Sequence, residues 1–232
     1  MWHLPPSWYK RWRIMVSLGF LGMIAVALFV QTGLVDTTWQ ALGQNFFLLS
    51  RAANGIELNT AQQSVPTNLN ASQRLVRISQ LDPAQYSSTS EYNIWAYSAC
   101  SAASMTEVFN AYGRSLRITD VLQVESRIGE ITPAQGLLRP QGIANTAAQF
   151  GFKTTWGNSW SLDAVIATAN QGHPVIVSWP PDRYPQGHIV VVTGGDSNNV
   201  YLADSSIWNR HVLSRGQFLA WWEGFAAVVT PK

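Results

Sequence analysis

An uninterrupted apolar run near the N-terminus constrains this chain more than any other feature of its sequence. Residues Ile14 to Val35 carry no charged side chain over 22 positions, and a helix of that length crosses the ~30 Å hydrocarbon core of a bilayer. Lys10, Arg11 and Arg13 precede the run, and the next basic residue is Arg51. Because basic residues stay on the cytoplasmic side, the sequence predicts a signal-anchor helix with a cytoplasmic N-terminus and an exported C-terminal part.

A cleaved signal peptide is the alternative reading of the same run. Its apolar core would be Ile14 to Ile24, followed by the small-x-small site Ala25-Val26-Ala27. The apolar run continues for eight residues beyond Ala27, which favours the anchor. Both readings export the rest of the chain.

The charge balance argues against a nucleic-acid partner. The chain of 232 residues has a formal net charge of +2. Three of its basic residues belong to the cytoplasmic segment, and beyond residue 13 there remain 12 Lys and Arg against 13 Asp and Glu, with no basic cluster. The basic excess therefore reflects membrane topology.

Composition divides the chain into four parts. Residues 54–71 are mostly Asn, Gln, Thr, Ser and Ala, a composition that buries too little apolar surface to order itself. The predicted parts are a cytoplasmic basic and aromatic segment at 1–13, a transmembrane helix at 14–35, a juxtamembrane helix and polar linker at 36–74, and a folded domain at 75–232.

The folded domain is predicted to be α+β, with a helical half followed by an antiparallel sheet. Apolar periodicity, caps and terminating glycines predict helices at Ser101 to Tyr112, Thr119 to Ile128, Gln141 to Phe150, Ser161 to Gln171 and Ser214 to Trp222. Runs rich in β-branched and aromatic residues predict strands at Phe152 to Trp156, Pro174 to Trp179, His188 to Gly194, Val200 to Asp204 and Phe225 to Val229.

Cys100 is the only cysteine and directly precedes the first of these helices. It therefore has no partner in the chain for a disulfide. A helix N-terminus stabilises a thiolate through the helix dipole and free N–H groups, so the position suits a nucleophile. The alternative is an inert, buried cysteine, which is the commoner fate of a lone thiol.

His188 and Asp204 supply the other groups that thiol catalysis needs. Residues Gly195 to Asn199 are of the types that favour a turn, so the two flanking strands should form a hairpin. In that hairpin His188 and Asp204 would lie within a residue or two of facing each other. The carboxylate would then orient an imidazole that exchanges a proton with Cys100. Taken singly, His188 is also compatible with an ordinary strand-end residue and Asp204 with a turn former.

These stretches resemble the papain-like cysteine peptidases of the bacteriocin double-glycine leader type, the peptidase C39-like group. The residues that carry the resemblance are Asn93-Ile94-Trp95-Ala96-Tyr97-Ser98-Ala99-Cys100-Ser101-Ala102-Ala103-Ser104-Met105, Phe109-Asn110-Ala111-Tyr112-Gly113, Gly187-His188-Ile189-Val190-Val191-Val192-Thr193-Gly194 and Tyr201-Leu202-Ala203-Asp204. The similarity extends from Tyr86 to Val229.

The resemblance implies a papain-like fold and a Cys100, His188 and Asp204 triad that cleaves peptide or amide bonds through a thioester. Two positions depart from the family pattern. Ser101-Ala102 stands where the family usually has Gly-Pro after the cysteine, and Ile94 stands where a Gln lies about six residues before it. Asn93 is the nearest side-chain amide that could replace that Gln as an oxyanion donor.

A second hypothesis follows from these departures and from six tryptophans. A catalytically inactive papain-like domain would be an exported peptide- or glycan-binding module. Its groove would be lined by tryptophans that otherwise belong to the core: Trp156, Trp160, Trp179, Trp208, Trp221 and Trp222. Acyl transfer would use the same residues as hydrolysis.

The sequence predicts no cofactor or metal. It predicts a peptide or protein substrate and membrane attachment through the N-terminal helix, and it leaves the oligomeric state open.

Overall fold

The structure, a computed structural model, describes residues 70–232. The predicted cytoplasmic segment, the anchor helix with its cleaved-signal alternative, and the juxtamembrane helix lie outside these residues and stay predictions. Among the helices of residues 70–232, none combines the length and hydropathy needed to cross a bilayer.

Most helices lie in the first half of the described chain. These are α1 (Ala71–Arg74), α2 (Thr89–Trp95), α3 (Cys100–Ala111), α4 (Ile118–Arg127) and α5 (Gln141–Gln149), with a short 3-10 helix at Pro83–Gln85. Two further helices, α6 (Leu162–Asn170) and α7 (Arg215–Trp221), lie in the second half. Gly113 and Gly151 follow α3 and α5 with φ of 92° and 82°, a left-handed conformation that ends a helix at little steric cost for glycine. The predicted helix ends are confirmed.

The strands of residues 70–232 form two antiparallel sheets. A small hairpin joins β1 (Ile131–Thr132) and β2 (Gly136–Leu137). The larger sheet contains β3 (Phe152–Gly157), β4 (Val175–Trp179), β5 (His188–Gly195), β6 (Asn199–Ala203), β7 (Val212–Ser214) and β8 (Ala226–Pro231), in the order β3-β8-β4-β5-β6-β7. The α+β class predicted from the sequence is confirmed.

Side-chain caps fix the starts of two helices as predicted. Ser161 Oγ accepts a hydrogen bond from the Ala164 N–H at 3.2 Å. At the start of α7, Ser214 and Gln217 exchange side-chain to backbone bonds at 3.2 Å each. Such caps satisfy amides that have no partner inside the helix, and each stabilises a helix by about 1 kcal/mol.

The central strands are apolar on both faces because helices cover both sides of the sheet. Along β5, Ile189 and Val191 join the core beneath α3, while Val190 and Val192 join a second core beneath α6. All four are almost fully buried. This packing holds α3 across the first residues of β5, where His188 lies.

The β5–β6 hairpin has the predicted turn and a one-residue irregularity. Val191 pairs with Ala203 and Val192 with Leu202, and the register shifts between Val192 and Gly194. Asp204 follows the last paired residue of β6 and so lies about two positions from His188 across the ladder. This agrees with the separation predicted from the sequence.

Several elements lacked a clear local signal in the sequence and were not predicted: α1, α2, β1, β2 and β7. In α1, Ala71 is fully buried and the Ser72 N–H donates to the carbonyl oxygen of Gly172 at 3.2 Å. The packed structure thus extends to residues ahead of the predicted domain start at 75. Propensity misses α1 because tertiary contacts, rather than its four-residue sequence, stabilise it.

Candidate active site

Cys100 is the first residue of α3 and is half-buried. The residue before the helix is Ala99, which offers no side-chain acceptor to the first N–H groups of α3. These amides therefore point positive partial charge toward the region of the Cys100 side chain. Further along α3, the Ser104 hydroxyl donates to the carbonyl oxygen of Ile189 at 3.2 Å, which attaches the helix to β5.

His188 lies at the start of β5 with only 7% of its surface exposed. Its Nε2 lies 2.8 Å from Asp204 Oδ1, and the rings of Trp179 and Tyr184 pack at centroid distances of 5.9 and 6.0 Å. Burial alone lowers the pKa of His188, but the Asp204 bond and the adjacent Cys100 side chain outweigh it and raise the pKa to about 9. The imidazole is therefore protonated at neutral pH.

Asp204 is fully buried and both of its carboxylate oxygens are occupied. Oδ1 accepts from His188 and from the Ser206 N–H at 2.9 Å. Oδ2 accepts from the Arg210 side chain at 3.0 Å and from the Arg210 N–H at 3.3 Å. Burial opposes ionisation, but the hydrogen bond and charge of His188 and the Ser206 bonds hold the pKa of Asp204 well below its usual range. The carboxylate is thus ionised at neutral pH.

Arg77 fixes the backbone around Asp204. Its Nε donates to the Asp204 carbonyl oxygen at 2.8 Å and its Nη2 to the Ser206 carbonyl oxygen at 2.7 Å. A guanidinium presents these donors in a rigid planar fork. Arg77, which lies near the N-terminal end of the described residues, therefore anchors the loop that follows β6.

Gln80 connects that loop with the segment leading to Cys100. Its side-chain oxygen accepts from Ser205 Oγ at 2.9 Å and its side-chain nitrogen donates to the Ala96 carbonyl oxygen at 2.9 Å. Gln80 is 6% exposed. One buried amide therefore spans the two parts of the chain that carry Cys100 and Asp204.

Glu107 is a further buried carboxyl, two turns along α3 from Cys100. Its Oε1 accepts from the Ile78 N–H at 2.8 Å. Burial raises the pKa of Glu107 to about 8, against the opposing effects of that bond and of Arg77. At neutral pH Glu107 is mostly protonated, so it adds little negative charge beside Asp204.

The side chain predicted as an oxyanion donor lies on the surface. Asn93 is exposed on α2, and its neighbour Ile94 is 54% exposed. The assignment of Asn93 stays a prediction. Sequence reasoning missed Arg77, Gln80 and Arg210, because nothing local in the sequence distinguishes them from other polar residues. Within residues 70–232, no three His, Cys, Asp or Glu side chains come together as a metal site would require.

The sequence of residues 73–229 matches the profile of the Peptidase_C39 like family. This match spans about two thirds of the chain. The chain belongs to this family. The resemblance inferred from the motifs around Cys100 and His188 is therefore confirmed, and family membership indicates a cysteine peptidase-like domain. No curated protein sequence matches the chain.

Comparison with solved structures finds similarity at low sequence identity. The peptidase domain of Streptococcus ComA, a bi-functional ABC transporter involved in a quorum-sensing pathway, superposes with a TM-score of 0.50 at 22% identity, covering 59% of this chain and 93% of that domain. A putative C39-like peptidase from Bacillus anthracis gives 0.49 at 14% identity, covering 68% and 95%. At 22% identity the likeness to the ComA peptidase domain establishes the papain-like α+β fold alone.

Proposed function

We propose that this protein is a cysteine peptidase that cleaves peptide or amide bonds with Cys100 as nucleophile, His188 as proton carrier and Asp204 as the group that orients the imidazole. The observation that carries the proposal is the buried bond of 2.8 Å between His188 Nε2 and Asp204 Oδ1. Cys100, at the start of α3, helps to raise the pKa of the same imidazole.

The charges at the site support this chemistry. Transfer of the Cys100 proton to His188 creates a thiolate and imidazolium pair, and the raised pKa of His188 favours that form at neutral pH. The thiolate attacks the carbonyl carbon, and the imidazolium then protonates the departing amine, leaving a thioester on Cys100. Water, deprotonated by His188, hydrolyses the thioester and restores the thiol.

The oxyanion of the tetrahedral intermediate needs hydrogen-bond donors near Cys100. No side chain of residues 70–232 caps the N-terminus of α3, so the Cys100 N–H is a suitable backbone donor. Asn93 remains the proposed side-chain donor. Asn93 lies in α2, just ahead of the turn that leads into α3.

Exposed apolar side chains in the segments beside Cys100 and Asp204 favour a peptide substrate. Ile94 and Tyr97 precede Cys100 and are 54% and 86% exposed, while Ile207 and Trp208 follow Asp204 and are 75% and 68% exposed. Such side chains offer apolar and aromatic contacts that fix a peptide chain in a cleft.

We further propose that the peptidase domain is exported and tethered by the apolar run at 14–35. The support is the length of the run and the basic residues on its N-terminal side. Protease protection of the full-length chain in membrane vesicles tests the topology, because an outward domain is digested in right-side-out vesicles and protected in inverted ones.

The catalytic proposal is tested by the reaction of the full-length chain with iodoacetamide at pH 6. An ordinary thiol, with a pKa of ~8.5, is almost unreactive there, so fast labelling that is lost in Cys100→Ser identifies an activated thiolate. His188→Ala should slow the labelling, whereas the exposed His211→Ala should not. Labelling of the wild type at the rate of an ordinary thiol would contradict the proposal.

An inactive binding module is the second candidate. It is favoured by Ser101-Ala102 after the cysteine and by exposed Ile94 at the position of the family Gln. A peptide library separates the two candidates when products are read by mass spectrometry. Cleavage that is abolished by Cys100→Ser supports the peptidase, and peptide retention without any product supports the module.

A further inference from the structure

Arg210 contacts the candidate site although it is remote from Cys100 in sequence. Its Nη1 lies 3.0 Å from Asp204 Oδ2, and its own N–H donates to the same oxygen at 3.3 Å. His188 occupies the other oxygen, Oδ1, at 2.8 Å. The carboxylate therefore lies between two cationic groups, an arginine and a protonated imidazole.

Four aromatic rings hold the Arg210 guanidinium in place. The distances from its central carbon to the ring centroids are 5.3 Å for Trp221, 5.5 Å for Tyr184, 5.5 Å for Trp208 and 6.0 Å for Trp179. These rings come from β4, from α7 and from two loops, so the cage depends on the folded sheet edge. Faces of aromatic rings attract a guanidinium, and this packing restricts where its charge can lie.

The Arg210 guanidinium is not needed to hold the Asp204 backbone. Arg77 already bonds the carbonyl oxygens of Asp204 and Ser206. The N–H groups of Ser206 and Arg210 also donate to the carboxylate. The Arg210 side chain thus adds a positive charge to a carboxylate whose orientation other groups support.

We propose that Arg210 is a positioning residue that shares the charge of Asp204 and so weakens the hold of this carboxylate on the His188 proton. The proposal rests on the proposed function, because the transfer of the His188 proton matters only if His188 acts in catalysis. An imidazolium held too tightly by a carboxylate is a poor acid toward the departing amine. With Arg210 on Oδ2, Asp204 orients the ring while leaving its proton transferable.

Other charged or titratable groups also face this pair. Cys100 and Glu107 of α3 interact with His188, Arg77 interacts with Glu107, and the Tyr184 ring stacks on the imidazole. None of them bonds Asp204 Oδ2. Among the described residues, a substitution of Arg210 therefore changes the one side-chain charge on that oxygen.

The test is an NMR titration of the imidazoles in the full-length chain with isotope-labelled histidine. The His188 signal is identified by its loss in His188→Ala. Arg210→Met keeps the length and the aromatic packing of the side chain but removes the charge, so the midpoint of His188 should rise by about half a unit to one unit. Arg210→Lys keeps the charge and should restore most of the wild-type midpoint.

Arg183→Met is the matched control, since Arg183 is exposed and pairs with Glu223 rather than with Asp204. It should leave the His188 midpoint unchanged. A midpoint that stays in place or falls in Arg210→Met would overturn the proposal, as would an equal shift in Arg183→Met. If Arg210→Met does not fold, Arg210→Gln is measured in the same way with the same expectation.

The same samples separate this proposal from the proposed function. Rapid iodoacetamide labelling at pH 6 with an unmoved His188 midpoint in Arg210→Met would reject the role of Arg210 and leave the peptidase standing. Slow labelling of the wild type with a midpoint that rises in Arg210→Met would reject the peptidase and retain the electrostatic role of Arg210.

Discussion

Gln80 and Ser205 are joined by a buried hydrogen bond of 2.9 Å between the side-chain oxygen of Gln80 and the Ser205 hydroxyl. The same Gln80 amide donates to the carbonyl oxygen of Ala96. Ser205 directly follows Asp204, and Ala96 lies four residues before Cys100. The relative position of the two candidate catalytic segments therefore depends in part on one side chain that belongs to neither.

We predict that Gln80→Ala destabilises the protein and slows the labelling of Cys100. The change leaves the Ser205 hydroxyl and the Ala96 carbonyl without their partner, and an unsatisfied buried polar group costs about 1–3 kcal/mol. Denaturant unfolding should show a loss of about 2–4 kcal/mol. Gln135→Ala, at an exposed position, should change neither quantity. Unaltered labelling in Gln80→Ala would mean that the bridge does not orient the site.

The second prediction concerns the pH dependence of His188. Its pKa is raised to about 9 by Asp204 and Cys100, so Asp204→Asn should lower the imidazole midpoint by at least about one unit toward the ordinary value of ~6.5. The measurement is a histidine NMR titration of the folded chain. Asp163→Asn, at an 82% exposed side chain, should leave the midpoint where it is.

The sign of the accompanying stability change follows from the raised pKa. The folded state binds the His188 proton more tightly than the unfolded state, so this stabilisation is complete below about pH 6.5 and is lost as the pH rises through about 9. Asp204→Asn should reduce this part of the pH dependence. A variant whose unfolding free energy keeps the full wild-type dependence between these pH values would contradict the assignment.

Glu125 gives the third prediction. Its carboxyl is fully buried, and burial raises its pKa to about 8 against the opposing effect of the neighbouring Ser101 hydroxyl. Folding therefore favours the protonated form. The unfolding free energy should fall by about 1.4 kcal/mol per pH unit from this group between about pH 5 and 8. Glu125→Gln should flatten that slope, whereas the exposed Glu223→Gln should not. An identical slope in Glu125→Gln would show that this carboxyl does not titrate with the fold.

The turn of the β5–β6 hairpin gives the fourth prediction. A Cβ at Gly195 would lie 2.6 Å from the backbone oxygen of Asn199 and 3.1 Å from Ile166, so Gly195→Ala must displace the strand pair. We expect a loss of about 1–3 kcal/mol, together with slower Cys100 labelling because the hairpin places His188 beside Asp204.

Gly216→Ala in α7 is the control for this strain. A Cβ at Gly216 would have no atom of the described residues within 4 Å, and alanine is favoured over glycine in a helix by up to about 1 kcal/mol. Thermal unfolding should therefore move in opposite directions for the two variants. A melting temperature for Gly195→Ala equal to that of the wild type would show that the hairpin accommodates the methyl group.

Local signals explain why much of the fold was predictable. The periodicity of α3, its terminal Gly113, and the turn residues between β5 and β6 each act over a few positions, and they led to the proximity of His188 and Asp204, only 16 residues apart. The Ser214 capping box is another signal of this kind. Such features can be recognised in the sequence because the residues that interact are only a few positions apart.

The contacts around Asp204 were missed because they have no local counterpart. Arg77 and Gln80 reach the Asp204 loop across 127 and 125 positions, and their residue types are common on protein surfaces. The aromatic cage was equally hidden, since the tryptophans could be read as core or as groove. Trp179 is buried and Trp208 is 68% exposed, and both lie against the same arginine.

The two hydrogen bonds from Arg77 to the loop after β6 have a consequence for how far the protein can be shortened from its N-terminal side. A fragment that starts at α2 would still include Cys100, His188 and Asp204, yet it would lack the guanidinium that holds the aspartate backbone. The three candidate catalytic residues would all be present, but the backbone of Asp204 would lack this support. The smallest fragment in which Asp204 keeps this support must therefore include Arg77, a residue that takes no part in bond making or breaking.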